Sequence, residues 1–266
     1  MSYGLTLDQV TATSRPEPAA TAWGSLTRCT ASPHYSLHRI EIAPGAAQPL
    51  GFYPGEHGSL FVEKGSVILR RLADDGVESA ERVDSGRVIE LPPFLVHGLA
   101  SAEGATVYLF GRGADDGLAS VLVETQAGAE RAVAQLDVAR LPVGGRETTD
   151  RREKYWGVIE TIQADETAGK RIFLNKGGQS SLEFHVHKHE TYFIESGLLK
   201  VGLRVGRAEN YSLLLHAGES YDIHPGLMHM RMAMEDTVII EASTRDDDGD
   251  SYLVEDGQTY RHVERA

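Results

Sequence analysis

The chain has 266 residues, which is enough for two domains that each bury a core of their own. Its formal net charge of −13 disfavours nucleic acid and anionic membranes as partners, because both repel a strongly acidic protein. A single cysteine, Cys29, excludes an internal disulfide and a cysteine-rich zinc module. An apolar content of 41% with 28 glycines is compatible with a turn-rich, all-β protein.

The N-terminal segment predicts an arm rather than a targeting signal. Residues 1–10 lack a basic head followed by an apolar run, and no stretch of the chain reaches the roughly 18 apolar residues of a membrane helix. We therefore expect a cytoplasmic protein without a membrane partner. Residues 1–20, which include two prolines, are expected to be loose or to lie along a sheet edge.

The next part of the chain predicts strands joined by glycine turns. Residues 60–70 predict a strand, a glycine turn and a second strand, and residues 106–110 predict a later strand. Residues 117–140 are richer in Ala, Leu and Gln, which favours one or two short helices, and residues 141–150 are typical of a linker. Residues 246–251, with four aspartates, are expected to form a solvated acidic loop.

The second half of the chain repeats the first. Residues 38–97 align with residues 170–229 without a gap, and thirteen aligned positions are identical. The identities include turn residues, histidines and two apolar residues: Gly45/Gly177, Gly65/Gly197, Gly86/Gly218, Pro93/Pro225, His57/His189, His97/His229, Leu50/Leu182 and Phe52/Phe184. Such a repeat predicts two copies of one domain. The predicted divisions are an arm at 1–20, a first domain at 21–115, a partly helical linker at 116–153 and a second domain at 154–266.

A metal site is predicted in the second copy. His185 and His187 are two residues apart, so on an extended strand their side chains share one face, and Glu190 follows after a short bend. His229 is the fourth candidate, because the Pro-Gly turn before it brings the following strand back toward the other three. Imidazole and carboxylate ligands suit one divalent transition metal, namely zinc, manganese, iron or nickel.

The first copy lacks most of this ligand set. Tyr53, Gly55 and Gly58 stand at the first three ligand positions, and only His97 keeps a ligating side chain. His57 aligns outside the four ligand positions, so it does not complete the set. We therefore expect the first domain to be a degenerate copy without a bound metal, with a structural or regulatory role.

These segments resemble the two signature motifs of the cupin superfamily: His-x-His, a nearby Glu, a Gly seven residues after that Glu, and later Gly-x6-Pro-Gly-x2-His. The resemblance implies an all-β chain of two tandem jelly-roll barrels, called a bicupin, with His185, His187, Glu190 and His229 as ligands in the second barrel. Only two residues separate His187 from Glu190, fewer than in most cupins. Many cupins pair through their sheets, so a homodimer is compatible with the resemblance.

Five more side chains are predicted around the metal. By alternation along regular strands, Glu183, Tyr192 and Arg231 share the faces of the predicted ligands. Glu183 is a candidate general base, Tyr192 a candidate catalytic phenol and Arg231 the anchor for a carboxylate or phosphate group. Alternatively, Glu183 and Arg231 form an ion pair that closes the barrel. Lys188 and His189 lie in the bend, where they face either the substrate at the mouth of the site or solvent.

Within the superfamily, the second half is similar to the cupin domain of type II phosphomannose isomerases. The likeness spans roughly residues 154–260 and rests on Tyr155-Trp-Gly157, on residues 181–190 and on residues 241–248. Glu183 and Lys188 replace the Gln and Arg that are usual in that motif. The likeness implies a metal-assisted aldose–ketose isomerisation of a sugar or sugar phosphate, which is the leading hypothesis.

Two other functions fit the same ligands. Three histidines and one carboxylate leave two adjacent positions open on a six-coordinate metal, and a chelating substrate, or a substrate with dioxygen, would fill them. The first alternative is a non-haem metal dioxygenase or decarboxylase that acts on a small organic acid or diketone. The second is a non-catalytic bicupin in which the metal only orients a bound metabolite.

Overall fold

The structure is a computed structural model, and the chain divides in it into two compact units. One unit is Glu17–Thr148, and the other combines Met1–Pro16 with Thr149–Ala266. The residues that the structure describes are 7–30, 32–53, 58–73, 75–112 and 121–264.

Short antiparallel strands make up most of the chain. The described part begins with helix α1 (Leu7–Thr11) and strand β1 (Thr13–Ser14). The strands of the first unit are β2 (Ala19–Thr21), β3 (Gly24–Arg28), β4 (Tyr35–Ile42), β5 (Gly51–Phe52), β6 (Gly58–Leu72), β7 (Glu78–Asp84), β8 (Arg87–Leu91), β9 (Val96–Ala100), β10 (Ala105–Arg112) and β11 (Val121–Leu122). Helix α2 (Gln126–Ala134), a 3₁₀ turn (Val138–Arg140) and strand β12 (Arg146–Glu147) follow.

The second unit continues with eleven further strands and a 3₁₀ turn (Asp248–Asp250) before the last of them. The strands are β13 (Thr149–Lys154), β14 (Gly157–Ala164), β15 (Thr167–Leu174), β16 (Leu182–His185), β17 (Glu190–Ser196), β18 (Leu198–Arg204), β19 (Tyr211–His216), β20 (Ser220–Ile223), β21 (Met228–Ala233), β22 (Thr237–Thr244) and β23 (Ser251–Glu255). Among the described residues, no helix is long and apolar enough to cross a membrane.

The first unit is one curled antiparallel sheet. The long strand β6 pairs with β8 and β10 over its first half and with β7 and β9 over its second half, so it contributes to both faces of a barrel. Apolar side chains from these strands fill the interior, including Ile40, Leu60, Val62, Leu99 and Leu109. Alternating side chains of each strand therefore supply the core.

The second unit is a sandwich of two antiparallel sheets. The larger sheet has the strand order β1-β20-β17-β22-β15-β14-β13, and the smaller has the order β19-β18-β21-β16-β23. Ile172, Tyr192 and Ile239 from the larger sheet pack in one core cluster with Leu199 and Val201 from the smaller sheet. This arrangement is the jelly roll that the sequence predicts.

The repeat is visible strand by strand. Strands β4 and β15 begin and end at aligned positions, and so do β10 and β22. Strand β6 corresponds to β17 and β18 together, and Gly65 and Gly197 lie at the same point, with φ of +74° and +88°. A Cβ atom at either glycine would lie 2.3 Å from a backbone carbonyl oxygen of the neighbouring strand. This close approach explains why both copies keep glycine there.

The segment predicted to link the two domains packs against the first barrel. Helix α2 buries Ala129, which lies in one apolar cluster with Ala47, Ile68 and Ala100. Just before the helix, Glu124 forms two hydrogen bonds of 3.0 Å with the guanidinium of Arg70, whose side chain is 0% exposed. The partly helical segment is therefore part of the first unit, which reaches residue 148.

The N-terminal arm lies along a sheet edge of the second unit, which is one of the two alternatives expected for it. Strand β1 pairs with β20, and Val10 is buried in the core of that unit. The hydroxyl of Tyr221 donates a 2.6 Å hydrogen bond to the carbonyl oxygen of Val10. Arg15 donates a hydrogen bond of 3.0 Å to the carbonyl oxygen of Ala217.

Replacing Glu124 by Ala is expected to lower the free energy of unfolding by about 3 kcal/mol, because it leaves the buried guanidinium of Arg70 with one carboxylate partner instead of two. Chemical denaturation followed by circular dichroism measures the change. The matched control is Asp137→Ala, which removes an exposed partner of Arg140 and should cost less than about 0.5 kcal/mol. Equal losses in the two variants would contradict the structural role of the Arg70–Glu124 pair.

Candidate metal centre

Four side chains with metal-ligand chemistry converge inside the second barrel. Glu183 and His185 lie two residues apart on β16 and share one face of the strand. Ligating atoms of Glu183, His185 and His229 all lie within 4.8 Å of one another. Glu190, the first residue of β17, places one carboxylate oxygen 3.2 Å from Nε2 of His185 and the other 3.6 Å from Nε2 of His229.

In both His185 and His229, the ring nitrogen Nδ1 is held by a backbone carbonyl oxygen. Nδ1 of His185 lies 2.9 Å from the carbonyl oxygen of Asp250, and Nδ1 of His229 lies 3.1 Å from the carbonyl oxygen of Leu227. A carbonyl oxygen only accepts, so each Nδ1 carries the hydrogen and donates it. Each Nε2 then faces Glu190, as required of a metal-ligating imidazole.

The Pro-Gly turn brings His229 toward the other ligand candidates, as predicted. The N–H of Gly226 donates a 2.6 Å hydrogen bond to the carbonyl oxygen of His185, which ties the turn to the end of β16. In the pairing of β21 with β16, His229 lies directly opposite Glu183. The turn therefore brings a residue from a distant part of the sequence next to the first two ligand candidates.

The charges at the centre depend strongly on one another. The carboxylate of Glu190 is buried, and burial acts to raise its pKa, but Lys188 and the two histidines hold the pKa well below its ordinary value. Burial lowers the pKa of His185, but contact with Glu190 raises it. The pKa of His185 is raised overall. For His229 burial prevails, and its pKa is lowered. Glu190 is thus ionised and available as a ligand.

The geometry fits a divalent first-row cation. With metal–ligand bonds of about 2.1 Å, ligand atoms on opposite sides of an ion are about 4.2 Å apart. The ligating atoms of Glu183, His185 and His229 lie near this spacing, within 4.8 Å of one another, and Glu190 contacts the two histidines at 3.2 Å and 3.6 Å. Within the described part of the chain, Oε2 of Glu190 and Nε2 of His229 are buried and have no hydrogen-bond partner. Buried polar atoms are rarely left unpaired, so a bound cation would account for both.

His187 is not part of this cluster. Strand β16 ends at His185, and the next two residues form a bend in which the His187 side chain is exposed. The bend is held by the carboxylate of Asp250, which accepts hydrogen bonds from the backbone N–H groups of residues 186, 187 and 188. The two-residue alternation of a strand does not extend into a bend, so His187 does not follow His185 onto the same face.

Glu183 takes the place that the sequence pattern assigned to a histidine. Four residues separate His185 from Glu190, whereas only two separate His187 from Glu190. The interval that was short for a cupin therefore becomes longer when the ligand pair moves two residues toward the N-terminus. The short interval is the signal in the sequence that favours Glu183 and His185 as the ligand pair.

Lys188 lies inside the barrel rather than in solvent at its mouth. Its ammonium nitrogen is 2.6 Å from Glu190, 2.9 Å from Glu241 and 3.0 Å from Asp246, and its side chain is 4% exposed. Burial acts against the charge, but the three carboxylates raise the pKa of Lys188 well above its ordinary value. Sequence reasoning missed Glu241 and treated Asp246 as solvated, because nothing local indicates that either meets a buried lysine.

The remaining bend residue, His189, is half-buried. Its Nε2 lies 3.1 Å from Nδ1 of His224, and the two ring centroids are 4.9 Å apart. Its backbone N–H donates to the hydroxyl of Thr244. A role of His189 in substrate binding stays a prediction.

Arg231 and Glu183 form the ion pair that was the alternative expectation for them. The guanidinium donates a 2.7 Å hydrogen bond to Glu183 and stacks between two rings, with its central carbon 5.6 Å from the centroid of Trp156 and 5.7 Å from that of Tyr192. Burial acts to raise the pKa of Glu183, but Arg231 together with His229 and His185 lowers it overall. A lowered pKa makes Glu183 a weak general base and favours it as an ionised ligand.

Tyr192 is buried beside the ligands. Its ring lies edge-on to His229 with centroids 6.3 Å apart, and its hydroxyl has no hydrogen-bond partner among the described residues. Burial raises the pKa of Tyr192 well above its ordinary value. The phenol therefore keeps its proton at neutral pH.

A cavity of about 250 Å³ opens above these groups. Its apolar wall includes Trp156, Ile159, Ile172 and Leu253. Its polar wall includes Glu183, His185, Lys188, Glu190, Arg231, Glu241 and Asp246. The combination of apolar walls with a few converging polar groups is typical of a small-molecule site.

The first barrel has no equivalent centre in its described residues. Tyr53, at the position of His185, packs its ring 5.5 Å from His97, and Gly58 leaves no space for a carboxylate because a Cβ atom there would lie 2.3 Å from the carbonyl oxygen of Phe110. Leu99 and Leu109, at the positions of Arg231 and Glu241, belong to the apolar core. Gly55 and His57 lie outside the described residues.

Comparison with solved structures gives the same fold. The structures that match include an oxalate decarboxylase (TM-score 0.68, 14% identity, 90% of this chain and 77% of that chain) and the formate complex of the Lactobacillus farciminis oxalate decarboxylase (TM-score 0.66, 15% identity, 90% and 86%). A third is the Bacillus subtilis oxalate decarboxylase, studied for its Mn(II) centres (TM-score 0.67, 13% identity, 90% and 77%). Neither protein-family models nor curated protein sequences gave a match.

These comparisons confirm the tandem jelly-roll fold that the repeat predicts. At such low identity they show the fold alone, and they do not assign a reaction. The expected likeness to phosphomannose isomerases gains no support from them.

Replacing His229 by Ala should weaken binding of a divalent transition metal at least about 100-fold, because removal even of an outer partner of a metal ligand costs about 10–100-fold. Replacing the exposed His187 by Ala should leave affinity and stoichiometry unchanged. Metal content per chain, measured by plasma emission on protein purified without a histidine tag, together with zinc titration, tests both variants. Loss of the metal in His187→Ala with retention in Glu183→Gln would restore the ligand set first predicted from the sequence.

Proposed function

We propose that the second barrel is the active site of a metal-dependent enzyme that acts on a small chelating organic acid, by decarboxylation or a related oxidative cleavage. The observation that carries this proposal is the convergence of Glu183, His185, Glu190 and His229 below a small cavity with an apolar wall. The matched solved structures are oxalate decarboxylases, which favours this class over sugar isomerisation. The isomerase hypothesis therefore becomes the less favoured one.

The four side chains would hold the metal, and the metal would supply a Lewis acid for a carbonyl or carboxylate oxygen of the substrate. The protein orients these ligands before substrate arrives, because backbone carbonyl oxygens accept hydrogen bonds from Nδ1 of both histidines. The buried side chains of Trp156 and Ile172 exclude water from one side of the cavity, which strengthens electrostatic interactions inside it.

Tyr192 is the proton donor in this proposal. Loss of carbon dioxide from an acid leaves an electron pair on carbon, and a proton must be delivered to that carbon to complete the reaction. The hydroxyl of Tyr192 carries a proton and has no hydrogen-bond partner among the described residues, and the Tyr192 ring lies edge-on to that of His229. Its raised pKa keeps the proton in place until a stronger base develops in the substrate.

Arg231 and Lys188 supply positive charge near the reacting group. Both are already paired with carboxylates, so they stabilise the ionised ligands first and an anionic substrate second. Glu183 is assigned to metal binding and to the orientation of Arg231 rather than to proton abstraction. A cytoplasmic location and a homodimer stay predictions.

The first experiment is a substrate screen on protein loaded with manganese, iron or zinc. Release of carbon dioxide from small keto, hydroxy and dicarboxylic acids is measured beside oxygen consumption and beside isomerisation of sugars and sugar phosphates. Turnover of an acid by the wild type, but not by His229→Ala, supports the proposal. Turnover of a sugar alone would restore the isomerase hypothesis, and tight metabolite binding without turnover would favour the binding protein.

Replacing Tyr192 by Phe should lower kcat at least about 100-fold, the range expected for loss of a general acid. Metal content and thermal stability should stay near those of the wild type, because the hydroxyl makes no hydrogen bond that would be lost. Steady-state kinetics on the acid identified in the screen measure the effect. Wild-type kcat in this variant would exclude Tyr192 as the proton donor.

A further inference from the structure

The charged side chains inside the cavity do not cancel one another. Seven charged side chains line it with at most 21% of each side chain exposed, three of them cationic and four anionic: Lys170, Lys188, Arg231, Glu183, Glu190, Glu241 and Asp246. Counted by formal charge, the described interior carries one net negative charge.

The charged side chains at the mouth of the cavity add no net charge. Two cations and two anions line it, namely Arg152, Lys154, Asp247 and Asp248. The pair between Arg152 and Asp248 measures 3.3 Å, and the Asp248 side chain is 84% exposed. Charges at the mouth are screened by water and cancel by count, so the interior set determines the potential that a bound ligand meets.

Asp246 is held ionised by its contacts with two lysines. Asp246 lies 2.7 Å from the ammonium of Lys170 and 3.0 Å from that of Lys188. Although burial acts in the opposite direction, these two lysines lower the pKa of Asp246 to about 2. Lys170 also lies 3.8 Å from Glu241, so each interior lysine contacts at least two carboxylates.

We propose that this site selects ligands with a single negative charge, and that Asp246 and Lys170 set this preference. The inference rests on the proposed function and narrows its substrate class to monoanionic chelating acids, such as small keto acids. A divalent cation changes the interior from one net negative to one net positive charge, and a monoanion then makes it neutral. A dianion would leave an uncompensated negative charge in a partly buried site, where charge is costly.

The volume of the cavity sets a limit on size. A space of about 250 Å³ corresponds to about eight water molecules at their volume in the liquid. Acids of three to five carbon atoms fit this volume. Both criteria, charge and size, disfavour sugar phosphates, which are larger and doubly charged at neutral pH.

Asp246 and Lys170 are suitable for a test because they change the charge without touching the described ligand candidates. Asp246 forms ion pairs with the two lysines, and Lys170 forms ion pairs with Glu241 and Asp246. Asp246→Asn removes one negative charge with little change of shape. Lys170→Gln removes one positive charge and should act in the opposite direction.

The experiment uses two pairs of acids that match in shape and differ in charge, pyruvate with oxalate and acetoacetate with malonate. Binding to the zinc-loaded protein is measured at pH 7 by calorimetry and by quenching of tryptophan fluorescence, since Trp156 lines the cavity. Zinc avoids redox turnover, and each dissociation constant is divided by that of the same acid for zinc ion in solution. This division removes the intrinsic preference of the metal for dianions.

The wild type should favour the monoanion of each pair after this correction. Asp246→Asn should shift the ratio toward the dianion by about tenfold, a rough value for one charge acting through a partly screened site. Lys170→Gln should shift it by a similar factor toward the monoanion. Asp248→Asn, which removes the same charge at an exposed position, should shift it less than about twofold.

Zinc stoichiometry and thermal unfolding establish that each variant is folded and loaded. A corrected preference of the wild type for dianions would overturn the proposal while leaving the proposed function in place, and so would equal shifts in Asp246→Asn and Asp248→Asn. Failure of all four acids to bind to zinc-loaded wild type would overturn both the charge selection and the proposed function.

Discussion

The buried carboxylate of Glu190 is the constraint on which the second barrel depends. A carboxylate that is 2% exposed must be neutralised by close positive charge or by hydrogen bonds, because desolvation of an isolated ion is costly. Lys188 provides the closest charge and contacts Oε1 together with His185, whereas His229 lies nearest to Oε2. The ammonium of Lys188 must itself be neutralised, which brings in Glu241 and Asp246. One buried charge thereby organises much of the interior.

The bend between His185 and Glu190 makes this arrangement possible. The carboxylate of Asp250 binds three successive backbone N–H groups and turns the chain sharply after β16. The turn directs Lys188 inward and His187 outward. The same residue also fixes His185 through its carbonyl oxygen. Asp250 thus controls both the shape of the bend and the orientation of one ligand candidate.

The two barrels show how one backbone supports different interiors. The strands of the repeat align closely, yet leucines of the first barrel stand where the second has Tyr192, Arg231 and Glu241. An apolar set packs directly and closes the space, whereas a charged set must be paired and leaves polar atoms facing a cavity. This exchange of side chains separates a structural copy from a candidate active site without any change of fold.

The sequence by itself determined the repeat, the all-β class and the region of the site. Glycines that need a positive φ or close backbone approach, and a Pro-Gly turn before a histidine, are local requirements that stay readable in one chain. His185, Glu190 and His229 belong to this readable part. The sequence also placed Glu183 beside the metal, as a candidate base. Only the tertiary structure decided that Glu183 stands among the ligand candidates, that His187 lies outside the cluster, and that Lys188, Glu241 and Asp246 meet in one network. These outcomes depend on contacts between residues up to 65 positions apart, such as that of His185 with Asp250, which local periodicity does not encode.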